Sequence, residues 1–159
     1  MRNNLAATLV AMERLDEIEL RAWQALLHAH HEVVGQLDAE LGEFGLSFGS
    51  YDVLLRLARA PDHRLRMSDL ADRVLLSPSG LTRLVDRLER AGLVERSRFD
   101  GDARVTLATL TDRGHEVLRR AARTHLKGIR KHFTGRLTEA QLRNVASALE
   151  AVAGPHEPH

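Results

Sequence analysis

The 159-residue sequence predicts a mainly α fold that carries one small β-hairpin. Three observations predict it: a long amphipathic pattern near the N-terminus, two short capped helical segments in the middle, and two β-prone runs directly after them.

From Leu5 to Phe44 the residues Leu15, Ile18, Ala22, Leu26, Val33, Leu37 and Leu41 recur at near-helical spacing, which reads as one long helix. A helix of roughly 35 residues extends about 50 Å, more than a small domain covers alone, so it is expected to pack against a second chain. Trp23, Leu27 and Val34 widen its apolar face, as a helix touching both its own core and a partner requires. Gly42, Gly45 and the Ser47–Ser50 stretch end it. A second helix over Tyr51–Ala60, with Val53, Leu54, Leu57 and Ala58 inward, stops at Pro61.

Ser68 is expected to cap a third helix running to Val74, and Leu75-Leu76 to connect it to a fourth capped by Ser77. Pro78 suits the first helical position and Gly92 the left-handed residue after the last turn. Leu93–Arg98 and Arg104–Leu110 are β-prone and flank the turn-rich Phe99–Ala103, predicting a hairpin. Thr111 then caps a fifth helix reaching Phe133, and Thr138–Gln141 forms a capping box for a sixth running to Ala151. Ala153–His159 reads as a disordered tail.

Composition narrows the function. There is no cysteine, which excludes disulfides, thiolate metal sites and thiol catalysis. No stretch is apolar enough for a membrane span or a signal peptide, so a soluble cytoplasmic protein is expected. Net charge is only +1, but residues 1–60 carry five Arg against nine acids, whereas 64–104 carry nine Arg against seven. So mild a bias does not by itself indicate nucleic-acid binding; position has to carry that argument.

Two short helices followed at once by a hairpin is the layout of a winged helix-turn-helix. In the fourth helix Leu81, Leu84, Val85 and Leu88 form the inward stripe, leaving Ser79, Thr82, Arg83, Asp86, Arg87 and Arg90 outward. Hydroxyls at a helix start with arginines behind them suit entry into the major groove of double-stranded DNA, where Arg forks onto guanine. Ser77 and Ser79 stand where a helix N-terminus can meet phosphate. Arg98, Asp102 and Arg104 put guanidinium groups on the hairpin, within reach of the adjacent minor groove. Arg64, Arg66, Arg73 and Arg96 are the expected phosphate contacts.

The run Leu70-Ala71-x-x-Val74, Ser77 through Arg96, Asp102-Ala103-Arg104 and Leu110-Thr111-Asp112-x-Gly114 resembles the MarR family of bacterial regulators. The resemblance implies that Ser79, Thr82, Arg83 and Arg87 face the major groove, and that Arg104, oriented by Asp102, reaches the minor groove. Where the family's hairpin carries Asp-Arg-Arg, this chain has Ala103 in the middle. The resemblance also implies a homodimer built from the first, fifth and sixth helices. That dimer would read a pseudo-palindrome with half-sites about 34 Å apart, most often as a repressor. The corresponding organisation is a dimerisation helix over 1–45, a DNA-binding lobe over 46–110, dimerisation helices over 111–152 and a tail over 153–159.

The family further implies a small-molecule effector, an aromatic or phenolic compound, and Trp23, His30 and Tyr51 are the polar-tipped aromatic side chains nearest its pocket. His28, His30, His31, His115, His125 and His132 raise the alternative of metal sensing, but no His-x-x-x-His pair offers two ligands at one level of a helix. A protein-binding winged helix is the other alternative, although it needs no arginines on both helix and hairpin. No phosphate-binding glycine loop, catalytic carboxylate pair or nucleophile motif stands out, so neither an enzyme nor a cofactor is expected.

Overall fold

The computed structural model describes residues 15–74, 78–99 and 101–153. In chain order these form α1 (Glu17–Gly42), α2 (Phe48–Arg59), β1 (Arg64–Arg66), α3 (Met67–Arg73), α4 (Pro78–Arg90), β2 (Val94–Phe99), β3 (Asp102–Leu110), α5 (Asp112–His132) and α6 (Glu139–Ala153). Short 3₁₀ turns occupy Pro61–His63 and Thr134–Arg136. The predicted class holds: six α-helices among the described residues and a small antiparallel sheet. No helix of the described residues is long and apolar enough to cross a membrane.

The first helix differs from its expected extent. It starts at Glu17, because Asp16 and Glu19 form a reciprocal capping box: Asp16 N–H donates to Glu19 Oε2 at 2.7 Å and Glu19 N–H to Asp16 Oδ1 at 2.8 Å. Leu15 and Asp16 therefore lie outside the helix, and residues 1–14 are not among those described. Contacts divide the chain into two compact units, residues 1–33 and 34–159, with the boundary inside α1. In the first unit Ile18, Leu20, Trp23, Leu26 and Leu27 are exposed.

In the second unit α1 ends in a Schellman motif, with Leu46 N–H on Leu41 O, Gly45 N–H on Gly42 O, and Gly45 left-handed. Ser47 caps α2 by accepting from Ser50 N–H, so α2 begins three residues earlier than its apolar pattern suggests. The core gathers Leu41, Tyr51, Leu54 and Leu57 with Leu70, Leu81, Val85, Leu88, Val94 and Leu118. Gly49 marks the close approach of α2 to α4, where a Cβ would lie 3.2 Å from Leu84 Cδ1.

The sheet has three strands, not two. β3 lies in the middle, paired with β2 on one side and on the other with β1 through Arg64↔Thr109, Leu65↔Ala108 and Arg66↔Leu107. Ser68 does not cap α3; Arg66 holds the cap position without a side-chain bond, and Ser68 Oγ donates to Asp69 Oδ1. Leu75, Leu76 and Ser77, expected to connect to and cap α4, lie outside the described residues. Thr111 caps α5 as expected, accepting from Gly114 N–H at 3.0 Å while its hydroxyl donates to Gly92 O at 2.7 Å. The Thr138–Gln141 box also forms, and α6 extends through Ala153, one residue into the expected tail.

Candidate nucleic-acid interface

The inward stripe of α4 is buried as its spacing demands: Leu81, Leu84, Val85 and Leu88 are all at most 4% exposed. That burial leaves Ser79, Thr82, Arg83, Arg87 and Arg90 on the exposed face. The helix ends in a second Schellman motif, Leu93 N–H on Leu88 O and Gly92 N–H on Glu89 O, with Gly92 at φ 70°. A residue with a Cβ is strained there, so glycine lets the chain turn directly from α4 into β2.

Beyond that turn the hairpin carries Arg98, Asp102 and Arg104, all exposed. Its tip is irregular: the register shifts between Arg98, opposite Thr106, and Phe99, opposite Asp102. Asp102 Oδ1 accepts the backbone N–H of Arg104 at 2.9 Å, so it shapes the tip through the main chain and not through a bond to the guanidinium. The Phe99 ring lies over Gly101, where a Cβ would come within 2.7 Å of it, and Arg66 Cζ sits 5.5 Å from the ring centroid. Arg66, expected on a phosphate, is thereby placed against the hairpin as a cation–π neighbour.

The arginines divide into two groups. Among the described residues no salt bridge engages Arg83, Arg87, Arg98, Arg104 or Arg73. Arg64 pairs with Asp62 at 3.0 Å on the surface. Arg96, also expected on a phosphate, is committed within the protein: Nη2 lies 2.5 Å from Asp86 Oδ1 and 2.7 Å from Glu89 Oε2. Hydrogen bonding from Arg96 holds the Glu89 carboxyl below its ordinary range, and the same bond raises the Arg96 guanidinium.

The three aromatic positions fall in different settings. Trp23 and His30 are exposed on the first unit, whereas Tyr51 is buried in the second, its ring 4.4 Å from that of His125. His125 and His132, two turns apart on α5, have separate partners: His125 meets Tyr51 and Phe48, and His132 Nε2 lies 2.8 Å from Glu40 Oε1. His115 meets His63 edge to face at 4.4 Å. Among the described residues no group of three or more His, Cys, Asp or Glu is placed to hold a metal ion.

Sequence reasoning missed β1, the Asp16–Glu19 box and the Arg96 clamp. The box has a readable signal in Asp16-x-x-Glu19, whereas β1 and the clamp depend on partners brought in by the fold.

Comparison with known proteins agrees with this geometry. The model of the MarR family matches residues 44–105, from the α1–α2 turn to the hairpin tip. The solved structure of AbsC, a MarR family transcriptional regulator from Streptomyces coelicolor, superposes with a TM-score of 0.83 at 34% identity, over 89% of this chain and 96% of that one. Sco3205, a MarR family transcriptional regulator of the same organism solved in complex with DNA, gives 0.84 at 34% identity, over 92% of each. The HTH-type transcriptional regulator PecS of Dickeya dadantii is 32% identical over 96 residues, 59% of this chain. The chain spans a little over half, 57%, of the length of that relative. Matched at 34% identity to two solved family members over about nine tenths of its length, the chain belongs to the MarR family of transcriptional regulators.

Proposed function

We propose that the protein regulates transcription by binding duplex DNA as a homodimer, with α4 in the major groove and the β2–β3 hairpin at the adjacent minor groove. The observation that carries this reading is the exposed arginine set on α4 and the hairpin, which no acidic side chain of the described residues neutralises. A cation already paired inside the protein has little left to offer a phosphate or a base edge; Arg83, Arg87, Arg98 and Arg104 keep that capacity. In this reading Ser79, Thr82, Arg83 and Arg87 contact base edges, Arg104 enters the minor groove, and Arg73 holds the backbone. Residues 46–110 form the DNA-binding lobe. The complex of Sco3205 with DNA supports the same use of the shared fold.

Dimerisation is assigned to residues 1–45 and 111–152. Its support is the apolar surface on those helices: Ile18 and Trp23 on α1, Leu126 on α5, and Leu149 and Val152 on α6 are all more than 40% exposed. Control is assigned to a small aromatic or phenolic ligand that lowers DNA affinity and relieves repression. In the first unit Trp23 and His30 are its proposed contacts, and in the second, taken by itself, Tyr51 is.

The test is a mobility shift on fragments of the DNA upstream of the protein's own gene, with random duplex as competitor and sedimentation to give the mass of the bound species. Specific retention by a two-chain species is expected. Binding that random duplex abolishes at equal concentration would refute sequence-specific regulation. Calorimetry with salicylate and other phenols tests the effector, and the absence of heat across the panel removes that part.

A further inference from the structure

We infer that Arg96 is a positioning residue: pinned between Asp86 and Glu89, it sets the angle at which the hairpin leaves α4, and it makes no phosphate contact. This rests on the DNA-binding reading and assigns one of its arginines a different task.

Four contacts define the clamp. Arg96 Nε lies 2.9 Å and Nη2 2.7 Å from Glu89 Oε2, Nη2 lies 2.5 Å from Asp86 Oδ1, and the Arg96 backbone N–H donates to Glu89 Oε1 at 3.2 Å. Glu89 therefore holds both main chain and side chain of one strand residue. Asp86 and Glu89 are one turn apart on α4, whereas Arg96 is the third residue of β2. The Schellman turn at Ala91–Leu93 sets the direction in which the chain leaves α4. The clamp fixes where the strand goes next. A planar guanidinium can meet two carboxylates at once, which an ammonium on a flexible stem cannot do with the same geometry.

Charge argues against a phosphate contact. Two carboxylates around one guanidinium leave a local balance of −1, so an approaching phosphate meets net repulsion. The Arg96 side chain is also only 28% exposed. Its partners stand on the helix proposed to enter the groove, and the guanidinium offsets one of their two negative charges.

The test has two arms. In the first, residual dipolar couplings of the backbone amides report the orientation of β2–β3 against α4 in the DNA-free protein. Well below the melting temperature, Arg96→Lys is expected to lower the hairpin couplings while those of α4 hold. Identical couplings in variant and wild type overturn the proposal, and because no DNA is present they do so whether or not the DNA-binding reading stands.

In the second arm, affinity for the selected duplex is followed against salt for wild type, Arg96→Lys, Asp86→Asn and Glu89→Gln. Each variant is expected to bind roughly tenfold more weakly, with the salt slope unchanged. Asp86→Asn and Glu89→Gln make the protein more positive, so simple electrostatics predicts tighter binding and positioning predicts weaker. Tighter binding by these two, or a salt slope reduced by about one in an Arg96→Met variant, overturns the proposal. Wild type that selects no duplex refutes the DNA-binding reading instead, and the dipolar couplings still decide the role of Arg96.

Discussion

His132 Nε2 sits 2.8 Å from Glu40 Oε1, joining α5 to α1 across 92 residues of sequence. His132 is 8% exposed, so its ring nitrogen has no ready access to water. Lys131 Nζ approaches the same carboxylate oxygen at 3.3 Å.

Glu40→Ala is therefore expected to strand a buried imidazole nitrogen, at a cost of about 1–3 kcal/mol. Thermal unfolding should show it as a fall of a few degrees per kcal/mol lost, about 2–4 °C for a chain of this size. The bond to His132 holds the Glu40 carboxyl below its ordinary range. A carboxylate depressed in the folded state contributes stability that is complete above its unfolded value near 4.5 and is lost as pH falls through the folded value. The gap between wild type and Glu40→Ala should accordingly be fully present above about pH 4.5 and narrow as the pH falls below it. A gap that widens on acidification contradicts this assignment.

Gly114→Ala should be among the more damaging single substitutions in the second unit. Gly114 is buried in the first turn of α5, and an added Cβ would fall well inside van der Waals contact of the Leu93 carbonyl oxygen and the Leu110 side chain. A side chain can rotate away, but a main-chain carbonyl held in the turn from α4 to β2 cannot. Overpacking costs typically about 1–3 kcal/mol, and a backbone clash belongs at or above the top of that range. Chemical denaturation of Gly114→Ala against Gly92→Ala gives a direct comparison. Gly92→Ala meets no atom closer than 3.9 Å and carries only the strain of its φ of 70°. Equal loss at the two positions would count against the clash.

What the sequence revealed follows a physical division. The caps at Thr111 and Thr138 and the left-handed Gly92 were legible because each is completed within a few residues. So was the inward stripe of α4, since helical period alone decides which side chains meet the core. β1 was not legible: its three residues become a strand only by pairing with Leu107–Thr109, long after them in the chain. Ser68 misled because a serine before an apolar run is a cap signal only when its hydroxyl reaches the main chain, and here it turns to Asp69. Arg96 gave no sign of its clamp for a related reason. Its charge is visible in the sequence, but its partners, seven and ten residues earlier, are set by the turn out of α4.

Arg83→Ala tests the DNA-facing side of α4. The residue is exposed on the helix, one position before the buried Leu84, with no ion partner among the described residues. If it forks onto a base, removing it should weaken binding to the selected duplex by about 1–3 kcal/mol and relax the preference at one base pair. Fluorescence titration on matched and mismatched duplexes separates this from a backbone role. Equal weakening on every duplex, with a smaller salt slope, would make Arg83 a phosphate contact.

His125 predicts how the second unit responds to acid. Its ring packs on Tyr51 at 4.4 Å and on Phe48 at 5.9 Å, and among the described residues its buried Nδ1 has no hydrogen-bond partner. Burial pushes the imidazole below its ordinary value of 6.5, while the charge of Glu40 pushes weakly the other way. The folded state thus resists a proton that the unfolded chain accepts. By linkage, stability is unaffected above about pH 6.5, falls as pH drops below it, and levels off once the folded imidazole also protonates. His125→Phe keeps a flat ring against Tyr51 and removes the titration. Calorimetric melting at pH 7.5 and 5.5 should therefore show a larger acid loss in wild type than in His125→Phe. Every other group is common to the two proteins, so the difference between the two curves isolates this ring. Parallel curves would mean that water or Glu40 already accommodates the protonated ring, and that the Tyr51 contact does not depend on its charge.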